Sequence, residues 1–71
     1  MPFMQVYMLE GRTEDQKEAL IAALTEAAVT SIGAPIDTVR VWITEVPLHH
    51  WGKDGTTMKK IRAKKAAEAG S

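Results

Sequence analysis

Pro2 has the residue type and the position for acid–base chemistry. An initiator methionine followed by a small residue is usually removed by an aminopeptidase, so we expect Pro2 to begin the mature chain. Its ring nitrogen would then be a free secondary amine, and alpha-amino groups titrate at a pKa of about 8 in reference peptides. Burial or nearby cations lower that pKa, which leaves an amine partly neutral and suited to act as a general base. Pro2 is also a common second residue in proteins, so the rest of the chain has to decide between the two interpretations.

Two arginines and a tryptophan are candidates for ligand binding. A guanidinium is always charged and binds a carboxylate through two parallel hydrogen bonds. Taken alone, however, Arg12 also fits a residue that flanks a helix start, and Arg40 a charge at a sheet edge or an interface. Trp51, next to Gly52, also fits a packing role, so the residue types by themselves leave both interpretations open.

His49 and His50 are adjacent in the sequence and invite a metal interpretation. Side chains of neighbouring residues point apart on an extended backbone. No cysteine or carboxylate lies at the spacing typical of zinc ligands. We therefore expect no metal site and no cofactor.

Hydrophobic periodicity predicts the elements that position these residues. Residues 3–9 alternate, with apolar side chains on both faces, which predicts a strand that is covered on both sides. One cover would be a helix of the same chain. The other would be a second subunit.

An amphipathic helix of about 18 residues is predicted to begin at Thr13 or Glu14. Thr13 and Gln16 have the spacing of a capping box, and Gly33 followed by Pro35 is typical of a helix end. The predicted apolar stripe consists of Leu20, Ile21, Leu24, Ala27, Ala28, Val29 and Ile32.

A β-branched run from about residue 38 to 46 predicts a second strand, which Pro47 ends. Arg40 would lie on the opposite face of this strand from Val39 and Val41. Two strands joined by a helix form a right-handed crossover in which the strands are parallel.

After the second strand we expect a loop, a short hairpin with its turn at Asp54-Gly55, and a helix over residues 58–69 that frays. The predicted fold class is therefore α/β (α+β): a βαβ unit followed by a short C-terminal hairpin. Residues 1–71 would form one domain with a basic tail from about residue 59. Two βαβ units side by side would make the four-stranded sheet of a dimer.

Length and composition favour a small, self-associating protein. A domain of 71 residues buries a small share of its surface on folding and is therefore only marginally stable as a monomer. Hydrophobic residues make up 45% of the chain, and there is no cysteine to form a stabilising disulfide. Nine basic and nine acidic residues give a net charge of zero, which argues against nucleic acid as the main partner. No apolar run approaches the roughly 20 residues that span a bilayer, and no secretory signal is evident, so we expect a cytoplasmic protein without a membrane partner.

The runs 2–12 and 39–45, together with His50, Trp51, Gly52 and Gly55, resemble the small tautomerases of the 4-oxalocrotonate tautomerase family. The resemblance extends to about residue 60. It implies a tautomerase-like fold, a homohexamer assembled as a trimer of dimers, and an isomerase that interconverts keto and enol forms of small 2-oxo or 2-hydroxydienoate acids, as in the degradation of aromatic compounds. Trp51 stands where the best-known members have a smaller aromatic residue, which implies a pocket of different shape.

The resemblance also implies a role for each candidate residue. Pro2 would move the proton between two carbons, and Arg40 would bind the carboxylate next to the oxo group and stabilise the dienolate oxygen. Arg12 would bind the far carboxylate of a diacid. Trp51 would form an apolar wall, and the backbone amide of Leu9 would orient the oxo group. Because these residues do not converge easily within one βαβ unit, we expect the site to form between subunits.

Two alternatives remain open. Relatives with an N-terminal proline include 3-haloacrylate dehalogenases, which add water, and semialdehyde decarboxylases. Hydration relies on an extra carboxylate that activates water, and the loop after Trp51 offers Lys53 and Asp54 but no glutamate. The other alternative is a non-catalytic oligomeric protein whose basic tails bind an anionic surface. Removal of the residues after Met58 would abolish that function, whereas an enzyme would largely keep its activity.

The chemistry expected of Pro2 requires that Met1 be absent, because an acylated proline nitrogen has no basic lone pair. We predict that the intact mass of the purified protein lacks one methionine residue. A mass that includes Met1 in a catalytically active sample would exclude Pro2 as the base.

Overall fold

The structure is a computed structural model that describes residues 1–70. Two parallel strands form its main sheet. Strand β1 spans Phe3–Leu9 and strand β2 spans Arg40–Val46. Their register pairs Phe3 with Arg40 at one end and Leu9 with Val46 at the other. Burial alternates along β1, because every second side chain faces the helix that covers the sheet.

Helix α1 spans Glu14–Ile32 and connects the two strands. The predicted capping box is present: the Gln16 amide donates to Thr13 Oγ1 at 3.1 Å, and the Thr13 amide donates to Gln16 Oε1 at 3.0 Å. Gly33 ends the helix in a left-handed conformation with φ of 67°, and its amide donates to the Val29 carbonyl. The boundaries predicted from the sequence are confirmed.

The apolar stripe of α1 is narrower than predicted. Ala28 is buried and Val29 packs against the core, but Ile32 is 68% exposed and Ala27 is exposed. The helix thus packs on its own sheet through one part of the stripe and leaves the other part uncovered.

Strand β2 begins later than predicted. Residues Ile36–Thr38 form a single 3-10 turn, in which the Thr38 amide donates to the Pro35 carbonyl at 2.9 Å. The Thr38 hydroxyl donates to the same carbonyl at 2.7 Å. Two hydrogen bonds to one carbonyl hold Thr38 in the turn, so the β-branched side chain there does not extend the strand.

The C-terminal part begins with a 3-10 turn at Leu48–His50, followed by the predicted hairpin of β3 (Gly52–Lys53) and β4 (Thr56–Thr57). Asp54 and Gly55 both have positive φ, as a two-residue hairpin turn requires. Helix α2 spans Met58–Ala69, in agreement with the predicted range, while its fraying stays a prediction.

The core within residues 1–70 is thin. Its buried side chains are those of Ala28, Ala34 and Val39, and no large side chain there is fully buried. On the face of the sheet away from α1, Phe3 and Tyr7 are each 62% exposed and Trp42 is 43% exposed. The rings of Phe3 and Trp42 lie 6.3 Å apart on that face, which we name the open aromatic face (Phe3, Tyr7 and Trp42).

No helix in the described part of the chain is long and apolar enough to cross a membrane. The cytoplasmic location and the single-domain organisation with a basic tail stay predictions.

We predict that Gly33→Ala destabilises the protein by about 1 kcal/mol, because a residue with a Cβ is disfavoured in the left-handed conformation. An added Cβ at Gly33 meets no atom within 4 Å, so the effect would come from the backbone alone. Chemical unfolding at a fixed protomer concentration measures it. Gly52→Ala is the matched control, since its Cβ would lie 4.0 Å from the nearest atom and Gly52 has no positive φ. Equal destabilisation by both substitutions would contradict the prediction.

Candidate active site

Pro2 and Arg40 lie next to each other at the start of the two strands. The Arg40 amide donates to the Pro2 carbonyl at 3.1 Å, which extends the β1–β2 pairing by one residue. Pro2 is half-buried and Arg40 is exposed. The parallel register therefore brings the predicted base and one predicted carboxylate-binding residue to the same end of the sheet.

The Arg40 side chain is held by backbone carbonyls. Its Nη1 donates to the Asp37 carbonyl at 2.7 Å and to the Val39 carbonyl at 3.1 Å. Within residues 1–70 no carboxylate forms a salt bridge with Arg40. A guanidinium has five N–H donors, so this anchoring orients the group and leaves donors for an anionic ligand.

Leu9 and Arg12 lie at the other end of the sheet. The Glu10 amide donates to the Val46 carbonyl at 3.1 Å, and the Leu48 amide donates to Glu10 Oε1 at 3.2 Å. These two bonds join the end of β1 to the turn after β2. Gly11, with φ of 124°, then turns the chain towards Arg12 and the start of α1.

A concavity of about 440 Å³ lies at this end and is lined by the segment Met8–Arg12 together with Arg62. It therefore contains Leu9 and Arg12, two of the residues predicted to bind substrate. From the sequence, Arg62 belongs only to the basic tail that begins at about residue 59. No periodicity could place it here, because the direction of α2 depends on the contacts at its first turn.

Trp51 is half-buried at this same end, between the 3-10 turn and the hairpin. Its carbonyl accepts a hydrogen bond from the Met58 amide at 2.8 Å, which attaches the start of α2 to it. The structure thus groups Leu9, Arg12 and Trp51 at one end of the sheet and Pro2 and Arg40 at the other.

The prediction that His49 and His50 point apart is wrong. Their ring centroids lie 4.2 Å apart in an edge-to-face contact, because Leu48–His50 forms a 3-10 turn and not an extended segment. Across residues 1–70 no group of three or more His, Cys, Asp or Glu side chains is placed to hold a metal ion.

The distance between the two ends is set by the length of β1. A strand advances about 3.3 Å per residue, so Pro2 and Leu9 are separated by roughly 23 Å within one chain. A small organic acid does not bridge such a distance. The predicted site residues of one protomer therefore lie in two separate groups, which we name the two partial sites.

Comparison with known proteins identifies the family. The family model described as Tautomerase enzyme matches residues 2–61. The chain belongs to the tautomerase family. The 2-hydroxymuconate tautomerase of Comamonas testosteroni is 52% identical over 61 residues, which cover 86% of this chain and 97% of the relative.

Solved structures of tautomerases have the same fold. One comes from work on the 4-oxalocrotonate tautomerase isozymes of Methylibium petroleiphilum; it is 48% identical, with a TM-score of 0.81, and the match covers 84% of this chain and 97% of that one. A heterohexamer 4-oxalocrotonate tautomerase from Chloroflexus aurantiacus is 40% identical, also with a TM-score of 0.81, over 87% of this chain and 100% of that one. The resemblance and the fold class predicted from the sequence are confirmed, and the protein is a tautomerase-superfamily isomerase.

We predict that mixed assemblies of Pro2→Ala and Arg12→Ala chains regain activity on a diacid held well below the raised KM of the Arg12→Ala variant, a concentration at which each variant alone is nearly inactive. If a site takes Pro2 from one chain and Arg12 from another, about a quarter of the sites in a random equimolar mixture contain both native residues. Co-refolding of the two variants, followed by an isomerase assay, measures this.

The matched control mixes the parent chain with the Pro2→Ala/Arg12→Ala double variant. Sites shared between chains give the same restored fraction in both mixtures. Sites built within one chain would leave the first mixture inactive and the control about half active, which would contradict the prediction.

Proposed function

We propose that this tautomerase moves a proton between carbons of a small 2-hydroxydienoate or 2-oxo acid, with the amine of Pro2 as the general acid and base. The observation that carries the proposal is the placement of Arg40 directly beside Pro2, through the 3.1 Å hydrogen bond between their main chains. Similarity to 2-hydroxymuconate tautomerases supports the substrate class.

Pro2 acts in this proposal as a free amine, after removal of Met1. The family match begins at residue 2, which supports a mature chain that starts there. The nitrogen lone pair accepts a proton from the substrate and the resulting ammonium returns it at another carbon, so the amine is regenerated in each turnover.

Arg40 binds the carboxylate next to the oxo group and stabilises negative charge on the dienolate oxygen. Its hydrogen bonds to the carbonyls of Asp37 and Val39 hold the guanidinium in place before the substrate arrives. Pre-oriented charge is effective because little reorganisation is needed when the charge develops.

Arg12, Trp51 and Leu9 complete the proposed site from another chain. Arg12 binds the far carboxylate of a diacid, Trp51 excludes water from one wall, and the Leu9 amide orients the oxo group. Exclusion of water strengthens each charge contact.

A homohexamer, assembled as a trimer of dimers, is the proposed form of the protein. The thin core and the open aromatic face support assembly, because a sheet with aromatic residues on an uncovered face gains stability when a second surface buries it. The separation of Pro2 from Arg12 also supports it, since only a second copy brings the two together.

We predict that Pro2→Ala lowers kcat on a 2-hydroxydienoate diacid by about 10²- to 10⁴-fold, through loss of the acid–base group. Arg40→Ala is expected to lower kcat by about 10²- to 10³-fold, through loss of the charge that stabilises the dienolate.

Arg12→Ala is expected to raise KM for the diacid, and to leave KM unchanged for a monoacid that lacks the far carboxylate. Steady-state kinetics with both acids measures all three.

Lys17→Ala is the control for removal of a cation. Lys17 forms a 2.8 Å salt bridge with Glu45 between α1 and β2, and neither residue lines the concavity that contains Leu9 and Arg12. Its kinetics should match those of the parent. Full turnover by the Pro2→Ala or Arg40→Ala variant would refute the proposed mechanism, and turnover of a 3-haloacrylate in place of the dienoate would favour the hydratase alternative.

A further inference from the structure

The charge of this neutral chain is divided between α2 and the rest. The 12 residues of α2 include five basic residues and one acidic residue. Residues 1–57 include four basic and eight acidic residues. The chain is thus positive in its last helix and negative elsewhere, although its net charge is zero.

The contacts at the first turn of α2 place this positive helix beside the proposed substrate-binding residues. The Met58 amide is bonded to the Trp51 carbonyl, and the Lys60 amide donates to Thr57 Oγ1 at 3.3 Å. Arg62, one turn further along, lines the same concavity as Leu9 and Arg12. The positive charge is therefore located at one partial site.

Four lysines of α2 surround Arg62 in sequence: Lys59, Lys60, Lys64 and Lys65, which we name the α2 lysines. Three of them, together with Lys53 of the hairpin, line a second groove of about 770 Å³ between α2 and β3–β4, which also contains Asp54 and Glu68. The positive field thus spreads from the concavity over the adjacent surface.

Packing does not account for the α2 lysines. Their side chains are exposed, and the half-buried residues of α2 are Met58 and Ile61. The family match ends at residue 61, so Lys64 and Lys65 lie beyond the segment shared with the family model.

The lysine segment of α2 is short enough for its charges to act together on an approaching anion. A helix rises 1.5 Å per residue, so the span from Lys59 to Lys65 is about 9 Å along the axis. That is about the Debye length of 8 Å at physiological ionic strength. The α2 lysines therefore act on an anion at the concavity together, and they offset the negative charge of residues 1–57, which would repel it.

We propose that α2 is an electrostatic guide that raises the local concentration of a doubly charged carboxylate substrate at the mouth of the active site. This inference rests on the proposed function, since it requires an anionic substrate. Guidance of this kind raises kcat/KM and weakens with salt, because exposed charges are screened.

The experiment compares the parent with a variant in which the four α2 lysines are changed to glutamine. We expect kcat/KM for a 2-hydroxydienoate diacid to be about tenfold lower in the glutamine variant at 10 mM ionic strength, where the Debye length is about 30 Å. The values should converge near 1 M salt, with kcat the same in both proteins. For a monoacid without the far carboxylate, the difference should be about threefold, since the charge is halved.

The matched control changes the same four lysines to arginine, which keeps the charge, and it should show the salt dependence of the parent. If kcat/KM depends on salt identically in the parent and the glutamine variant, the proposal of electrostatic guidance is overturned, while the proposed function stays intact. A loss in the glutamine variant that persists at 1 M salt, or that lies in kcat, would show a structural role for the lysines and would also overturn it. Failure of the parent to turn over either acid would refute the proposed function, and the inference with it.

Discussion

The parallel pairing of β1 with β2 is the constraint on which the rest of the structure depends. Parallel strands start at the same edge of a sheet, so the register places Arg40 beside Pro2. The same register carries Leu9 to the opposite edge, where Arg12 and Trp51 follow. Seven residues of extended chain separate the two groups, and no side-chain rotation within one protomer reunites them. In the proposed mechanism assembly and catalysis are therefore linked, because a second copy completes the site.

The small size of the chain also favours association with another surface. Local interactions are complete, with a full capping box at the start of α1, a left-handed glycine at its end and a tight hairpin before α2. Tertiary burial is incomplete, because one helix covers only one face of a two-stranded sheet. Aromatic rings on the other face are left for another surface to bury. A chain of this length has well-defined elements but gains little from packing on itself alone.

The charged residues are also distributed unevenly along the chain. Negative residues dominate residues 1–57 and positive residues dominate α2. The first residue of α2, Met58, donates a hydrogen bond to the carbonyl of Trp51, the residue proposed as a wall of the site. An enzyme for anionic acids needs positive charge at the reacting centre and benefits from it on the approach. In this chain Arg12 and Arg40 belong to the segment shared with the family, and Lys64 and Lys65 lie beyond that segment.

Much of the fold was predictable from the sequence because its signals are local. Periodicity, the Thr13–Gln16 capping box, Gly33 and the Asp54-Gly55 turn act over a few residues, and the helices and the hairpin appear where they predict. Residue types and their order also pointed to the family and to the candidate residues. The start of β2 and the contact between His49 and His50 follow from two 3-10 turns, whose hydrogen bonds span three residues and give no periodic apolar signal in the sequence. The exposure of Ile32 and the place of Arg62 were decided by the tertiary structure, because burial between segments distant in the chain leaves no periodic pattern in the sequence.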